Sequence, residues 1–374
     1  MKDKAVRPMR ILIILFFVAL KAGALHAQHT ALRVGVVGLT HTHVHWILGR
    51  EDRGDIKIVG IVEPNRALAE RYSKQHGYSM DIVFNTMEEM ITATKPEAVT
   101  AFGTIYEHLK VVEMAAPKGI HVMVEKPLAV SVEHARKMAA LAKQYNIQLL
   151  TNYETTWYPS NHKAYELIQN NTIGTLRKAV IHDGHRGPKR IGVNSEFLDW
   201  LTDPIQNGGG ALTDFGCYGA NLMTWLQRGK RPISVVAVTQ QLQPQNNPKV
   251  DDEATIILTY DSSTASIQAS WNWPIGRKDM ELYGMTGALY SDNRNTLRIR
   301  MAEGYDGFKE EKLELRERES PRNDPFALFN AVIRKQIMLA PYDPSSLENN
   351  LLVVEILEAA RKSATSGKAI KLGK

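Results

Sequence analysis

The sequence predicts an α/β chain: a doubly wound parallel sheet first, then an α+β part on a largely antiparallel sheet. Three observations carry this reading. As far as Thr151, short apolar runs alternate with helical patterns across short connections, as parallel strands joined by crossover helices require. After Tyr153 the β-like runs are separated mostly by turns. The 374 residues, 44% apolar and 23% charged, suffice for two cores and exclude a disordered chain. The single Cys excludes a disulfide framework and any Cys-rich metal centre.

Residues 1–27 read as a secretory signal. Lys2, Lys4, Arg7 and Arg10 precede the apolar run 11–20, and small residues offer cleavage after Ala24 or Ala27. That run is too short to cross about 30 Å of hydrocarbon, so no stable membrane anchor is expected and the chain should be periplasmic or otherwise exported. With Lys21 and Asp3 counted, this segment holds +4 of the net +6. The near-neutral remainder gives no reason to expect a nucleic-acid partner.

The next part is expected over 28–150. Leu32–Val37 is a strand ending at Gly38, followed by a helix through Trp46 and Leu48. Ile56–Val62 is a strand ending at Glu63, and 65–76 is a helix stopped by Gly77. Strand 98–102, helix 108–116 and strand 121–124 follow, the last ending in Glu125-Lys126-Pro127. Ser131 caps a helix with Ala135, Met138, Ala139 and Ala142 on one face, and 147–151 is the last strand. The remaining part, 151–374, holds a helix at 161–169, strands at 179–181, 233–238, 254–260 and 264–271, and a late helix at 347–364 stopped by Gly367. In a doubly wound sheet ligands bind at the carboxyl ends of strands, where Gly38, Glu63 and Glu125-Lys126 fall.

The turn Gly38-Leu39-Thr40-His41-Thr42-His43 stands where a dinucleotide fingerprint would. Gly38 is the first glycine of that pattern, and Thr40 and His43 replace the other two. Glu63 closes the second strand, where a carboxylate accepts from ribose hydroxyls and repels a 2′-phosphate. NAD is therefore expected over NADP, with Arg66 nearby as the counter-argument. His41, His43 and His45 admit two readings, polar residues of a ligand turn or metal ligands. At helical spacing His41 and His45 share a face. No carboxylate lies within the cluster, although a distant one could fold in, and the ligand-turn reading is preferred, so no metal is expected.

Residues 121–129 read His-Val-Met-Val-Glu-Lys-Pro-Leu-Ala, and residues 208–218 read Gly-Gly-Gly-Ala-Leu-Thr-Asp-Phe-Gly-Cys-Tyr. With the strand and turn at 32–38, these segments resemble the Gfo/Idh/MocA oxidoreductase family, in its glucose-fructose oxidoreductase-like branch. The likeness runs from about Leu32 to the C-terminus. It implies a Rossmann-type dinucleotide-binding domain followed by a domain with an open-faced sheet, through which homo-oligomers form. It implies NAD, with tight binding as a further expectation, against Gly38, Leu39, Thr40, His41, His43, Glu63, Thr104, His108, Glu125 and Lys126. Lys126 would bridge nicotinamide ribose and substrate oxygen. Tyr218 stands where many members carry His and would be the acid/base, its phenol lowered by the nearby ammonium. Asp214 would orient the sugar or Lys126, or else cap a helix. Cys217 reads as buried rather than reactive. Tyr153, Trp157, His182, Asp183, His185 and Arg186 would line a carbohydrate pocket, although His185 and Arg186 equally suit a solvated basic loop.

Three functions follow. The first is an exported NAD-dependent oxidoreductase acting on a ring hydroxyl of a sugar or glycoside, with a 3-keto sugar as the preferred product. The second is an NAD-dependent glycosidase working by oxidation and elimination. The third, of another class, is a cofactor-depleted carbohydrate-binding or scaffold protein, motivated by Thr40 and His43.

Overall fold

The structure is a computed structural model and describes residues 31–373, so residues 1–27, read above as a secretory signal, lie outside the described residues. Six strands, β1 (Leu32–Val37), β2 (Ile56–Val62), β3 (Val83–Phe84), β4 (Ala98–Ala101), β5 (His121–Glu125) and β6 (Leu149–Asn152), form an all-parallel sheet in the order β3-β2-β1-β4-β5-β6. This is the doubly wound sheet expected. Its order reverses between β1 and β4, which opens a crevice at their carboxyl ends.

The linking helices are α1 (Val44–Leu48), α2 (Arg66–His76), α3 (Met87–Thr94), α4 (His108–Ala115) and α5 (Val132–Gln144). Local chemistry sets their ends. Asn65 and Ser131 accept the Leu68 and His134 amides at 3.2 Å, and Gly77 closes α2 with φ +77°. Thr86 and Glu89 make a reciprocal capping box for α3, an element absent from the sequence reading.

The second part contributes α6 (Pro159–Gln169), β7 (Lys178–Gly184), α7 (Pro188–Ile191), α8 (Ser195–Leu201), α9 (Ala211–Asp214), α10 (Gly216–Leu226), β8 (Ser234–Gln240), β9 (Glu253–Thr259) and β10 (Thr264–Ser270). It continues with β11 (Arg277–Tyr283), β12 (Gly287–Ser291), β13 (Thr296–Glu303), β14 (Gly307–Glu314), α11 (Pro325–Ile333), α12 (Leu347–Ser366) and β15 (Ile370–Lys371). The nine strands lie in the order β14-β13-β12-β11-β7-β10-β9-β8-β15, antiparallel except for β7 with β10.

One face of this sheet is covered by α10, every residue of which is buried. Gly219 is required there, because a Cβ would stand 2.5 Å from Ile267. Helix α12 joins the two sheets: Val353 and Ile356 belong to the core of the second sheet, Val354 to a core of the first. No helix among the described residues is long and apolar enough to cross a membrane.

Candidate active site

The crevice between β1 and β4 is narrow at its floor. Gly38 has φ +78°, and a Cβ there would lie 2.7 Å from the Gly103 amide nitrogen. Only glycine fits both the conformation and the approach. The Leu39 and Asn65 amides donate to the two Glu63 oxygens at 2.9 and 2.8 Å, so the buried carboxylate is fixed at the end of β2. Burial raises this carboxyl, and the two amides hold it back. A cavity of about 410 Å³ opens here, lined by Gly38, Thr40, Glu63, Thr104, His108 and Trp200 among others.

His108 is neutral, because burial pushes its imidazole down to about 4. Its Nδ1 is 3.1 Å from the Leu128 carbonyl oxygen, and its buried Nε2 has no partner. A glycine cradle, a fixed carboxylate and an orphaned imidazole nitrogen on one cavity suit a dinucleotide. These residues would hold its ribose and phosphates.

The histidines depart from the expected arrangement. Residues 41–43 precede α1, so helical spacing does not govern them, and His41 meets His43 with ring centres 4.5 Å apart. His45 instead contacts His76 at 2.8 Å. His41 packs on Phe197 and Trp200 of α8, and His43 stacks on Trp46 with centres 3.8 Å apart. A carboxylate distant in sequence folds in beside them: Glu125 lies 2.8 Å from His43 Nδ1. One ligand atom from each of His41, His43 and Glu125 falls within 4.8 Å of the others. Glu125 is shared between His43 and the Asn152 amide at 2.8 Å, and Asn152 in turn accepts from the Trp157 indole at 3.1 Å. Trp157 thus braces Glu125 from behind.

Lys126 follows Glu125 and is only 6% exposed. Its ammonium pairs with the Asp214 carboxylate, donates to the Asp214 carbonyl at 3.2 Å, and lies 5.2 Å from the centre of the Tyr218 ring. The Trp271 indole donates to the other Asp214 oxygen at 3.0 Å. Burial opposes both charges, yet their attraction wins: Lys126 is raised and Asp214 lowered, so both stay ionised. Asp214 therefore orients Lys126.

Tyr218 is 1% exposed, packs edge-on against Tyr153 at 5.4 Å, and its hydroxyl has no hydrogen-bond partner among the described residues. The expected lowering of its phenol is overturned. Burial drives it well above 10, nearby acids reinforce this, and the Lys126 charge is committed to Asp214.

A second cation was not read from the sequence. Lys278 of β11 lies 5.0 Å from the Tyr218 ring centre and pairs with Glu154, which also accepts the Tyr158 hydroxyl at 2.6 Å. Lys278, Tyr158 and His185 line a second cavity of about 530 Å³ beside Tyr218. His185 also meets Phe215 edge-on at 4.9 Å. Strand alternation turns His182 away from α10 toward Asp279, 3.0 Å away. Arg186 is exposed and lines neither cavity, as the loop reading allowed.

A doubly wound sheet with an ammonium, a carboxylate and a phenol gathered at the carboxyl end of β5 suits a dinucleotide-dependent oxidoreductase. Residues 32–153 match the oxidoreductase family with an NAD-binding Rossmann fold, and residues 161–290 match the GFO/IDH/MocA C-terminal domain. The chain belongs to the Gfo/Idh/MocA oxidoreductase family. It is 27% identical over 248 residues to trans-1,2-dihydrobenzene-1,2-diol dehydrogenase of Bos taurus, spanning 64% of this chain and 69% of that one. It is 22% identical over 280 residues to 1,5-anhydro-D-fructose reductase of Ensifer adhaerens, spanning 73% and 81%. An inositol dehydrogenase homolog from Azotobacter vinelandii, solved with NAD+, superposes with a TM-score of 0.79 at 16% identity, covering 92% of this chain and 98% of that one.

Proposed function

We propose that the protein is an exported NAD-dependent dehydrogenase that oxidises a secondary ring hydroxyl of a sugar or glycoside, or reduces the matching ketone. The observation that carries this is the buried Lys126–Asp214 pair close to the Tyr218 ring, directly after the carboxyl end of β5 in the sheet whose β1 and β2 end at Gly38 and Glu63. Bound in that crevice, nicotinamide supplies the hydride acceptor or donor. Lys126 lowers the proton affinity of the substrate oxygen, and Tyr218 carries its proton. Asp214 keeps Lys126 charged and in place. The sugar-directed relatives and the aromatic and polar wall of the second cavity support a carbohydrate. A 3-keto product and pairing of two copies through the open sheet face, where Val238 and Ile257 are exposed, belong to the same proposal.

The test supplies NAD+ with sugars and aryl glycosides and follows absorbance near 340 nm together with aglycone release. NADH formation supports the dehydrogenase. Aglycone release without NADH contradicts it and marks a glycosidase.

Two further results are expected. Tyr218 is protonated across the physiological range because burial raises it. It is therefore ready to donate during ketone reduction but must first lose a proton to act as base. Oxidation kcat/KM should climb about tenfold per pH unit from pH 6 to 9, whereas reduction stays flat. Tyr218→Phe should remove that slope and lower kcat by about 10²–10⁴-fold. A wild-type oxidation profile that is flat over this range contradicts the assignment. At the other end of the crevice, Glu63→Ala should raise the Kd for NAD+ by about tenfold and leave that for NADP+ unchanged or lower, as read by calorimetry.

A further inference from the structure

A third cavity, apart from the two above, is lined by Thr156, Trp157, His162, Arg318, Arg322 and Asp343 among others. It measures about 90 Å³, room for an ion of a few heavy atoms and too little for a sugar or a nucleotide. Arg322 and Met338 of its wall are exposed, so it opens to solvent. Both arginines belong to the loop 315–324 between β14 and α11, and His162 to α6.

The two guanidiniums are not neutralised. Neither forms an ion pair with a carboxylate among the described residues, whereas Arg294, which packs on Tyr158 close by, is paired with Glu317. The side chain of Arg318 has one polar partner there, the Nε2 of His162 at 2.8 Å. That same nitrogen lies 2.8 Å from the Thr156 carbonyl oxygen. Burial, and next the Arg318 charge, push His162 down to about 3, so its ring is neutral. A nitrogen of a neutral imidazole either donates or accepts. If Nε2 donates to Thr156, Arg318 faces a donor; if it accepts from Arg318, two lone pairs meet at Thr156. An acceptor in the cavity removes the conflict, because it gives Arg318 a partner and leaves Nε2 to Thr156.

Asp343 is the acid of this wall. Burial raises its carboxyl, which accepts the Ser345 amide at 3.0 Å and makes no ion pair with either arginine. Two cations against one acid leave the wall with excess positive charge. The Trp157 indole nitrogen is taken by Asn152, so the free donors are the arginines. We infer that this cavity binds one small oxyanion, a phosphate or a carboxylate, on the forks of Arg318 and Arg322. Such forks match the paired oxygens of these groups, which a spherical halide does not offer. The site goes beyond the dehydrogenase reading and does not depend on it.

Calorimetry of the full chain with sodium phosphate, acetate and chloride at equal ionic strength tests this. One phosphate or acetate per chain should bind with a Kd of about a millimolar or tighter, and chloride at least about tenfold more weakly. The tighter of the two oxyanions identifies the occupant as tetrahedral or planar. Arg322→Ala should weaken binding about tenfold. Arg318→Lys, which keeps the charge and loses the fork, should weaken it about fivefold. Arg322 is exposed and Arg318→Lys is conservative, so if either variant fails to fold the other decides. Phosphate at about ten times its Kd should also raise Tm in wild type and not in Arg322→Ala. Binding that persists unchanged in these variants lies elsewhere, in the crevice at Gly38 for instance, and overturns the inference. So does chloride binding as tightly as the oxyanions, or no binding of either oxyanion at about 10 mM.

Discussion

Lys126→Met lowers kcat by about 10³-fold, the loss expected when a charge aimed at the reacting oxygen is removed. Methionine keeps much of the stem, so the change deletes the ammonium rather than the packing. NAD affinity should change little, because the cavity that would hold most of the dinucleotide is lined by Gly38, Glu63, Thr104 and His108. A second effect accompanies the first. Removing Lys126 leaves the Asp214 carboxylate buried with only the Trp271 indole facing it. Breaking a buried pair from one side costs about 3–5 kcal/mol. Lys126→Met should thus lower Tm markedly. Adding Asp214→Asn should restore much of the stability and none of the turnover. Full activity in Lys126→Met would remove the proposed mechanism.

Gly210→Ala should be the most destabilising small substitution in the C-terminal part, at about 4 kcal/mol or more. A Cβ at 210 would stand 1.8 Å from the Asp251 carbonyl oxygen, so backbone would have to move. That backbone is held from both sides. Asp251 accepts the Gly210 and Leu212 amides on its carboxylate at 3.0 and 2.7 Å, and the Ala211 amide on its carbonyl at 3.0 Å. These bonds start α9, which ends on Asp214, so any shift at 210 is passed to the partner of Lys126. Gly276→Ala is the control. A Cβ there meets nothing closer than 3.8 Å, and its Tm should fall by no more than a few degrees. Denaturant unfolding of the two variants decides the matter, and equal stability would contradict the packing described.

The parallel sheet was legible because each of its longer strands is an apolar run with a marked end, and because Asn65, Gly77 and Ser131 announce their helices. The pair Val83–Phe84 was too short to register. The ribbon β13–β14 was missed for a different reason. Gly307–Glu314 is exposed almost throughout and so shows no alternating apolar face. It is tied by cross-strand pairs such as Arg300–Glu310 at 2.6 Å.

In the site, Lys126 and Asp214 were visible as motif positions, but their mutual bond was one of several options. Glu154, Asp183 and Lys278 lie far apart in sequence, and only the pairing of β7 with β11 brings the last two together. The Tyr218 error has the same origin. The ammonium lies close to the ring, but Asp214 had already claimed its charge, and burial then decides the phenol. Sequence shows which charges exist, whereas their partners depend on register.

The central claim is that the crevice of Gly38, Glu63, Thr104 and His108 holds NAD against the Lys126 site. Native mass spectrometry of the purified protein, alone and titrated with NAD+, tests this most directly. The account predicts one nucleotide per chain, either carried through purification or bound on titration, and weakened in Glu63→Ala. A chain that carries no nucleotide and takes up none at millimolar NAD+ would contradict it and leave the scaffold reading standing.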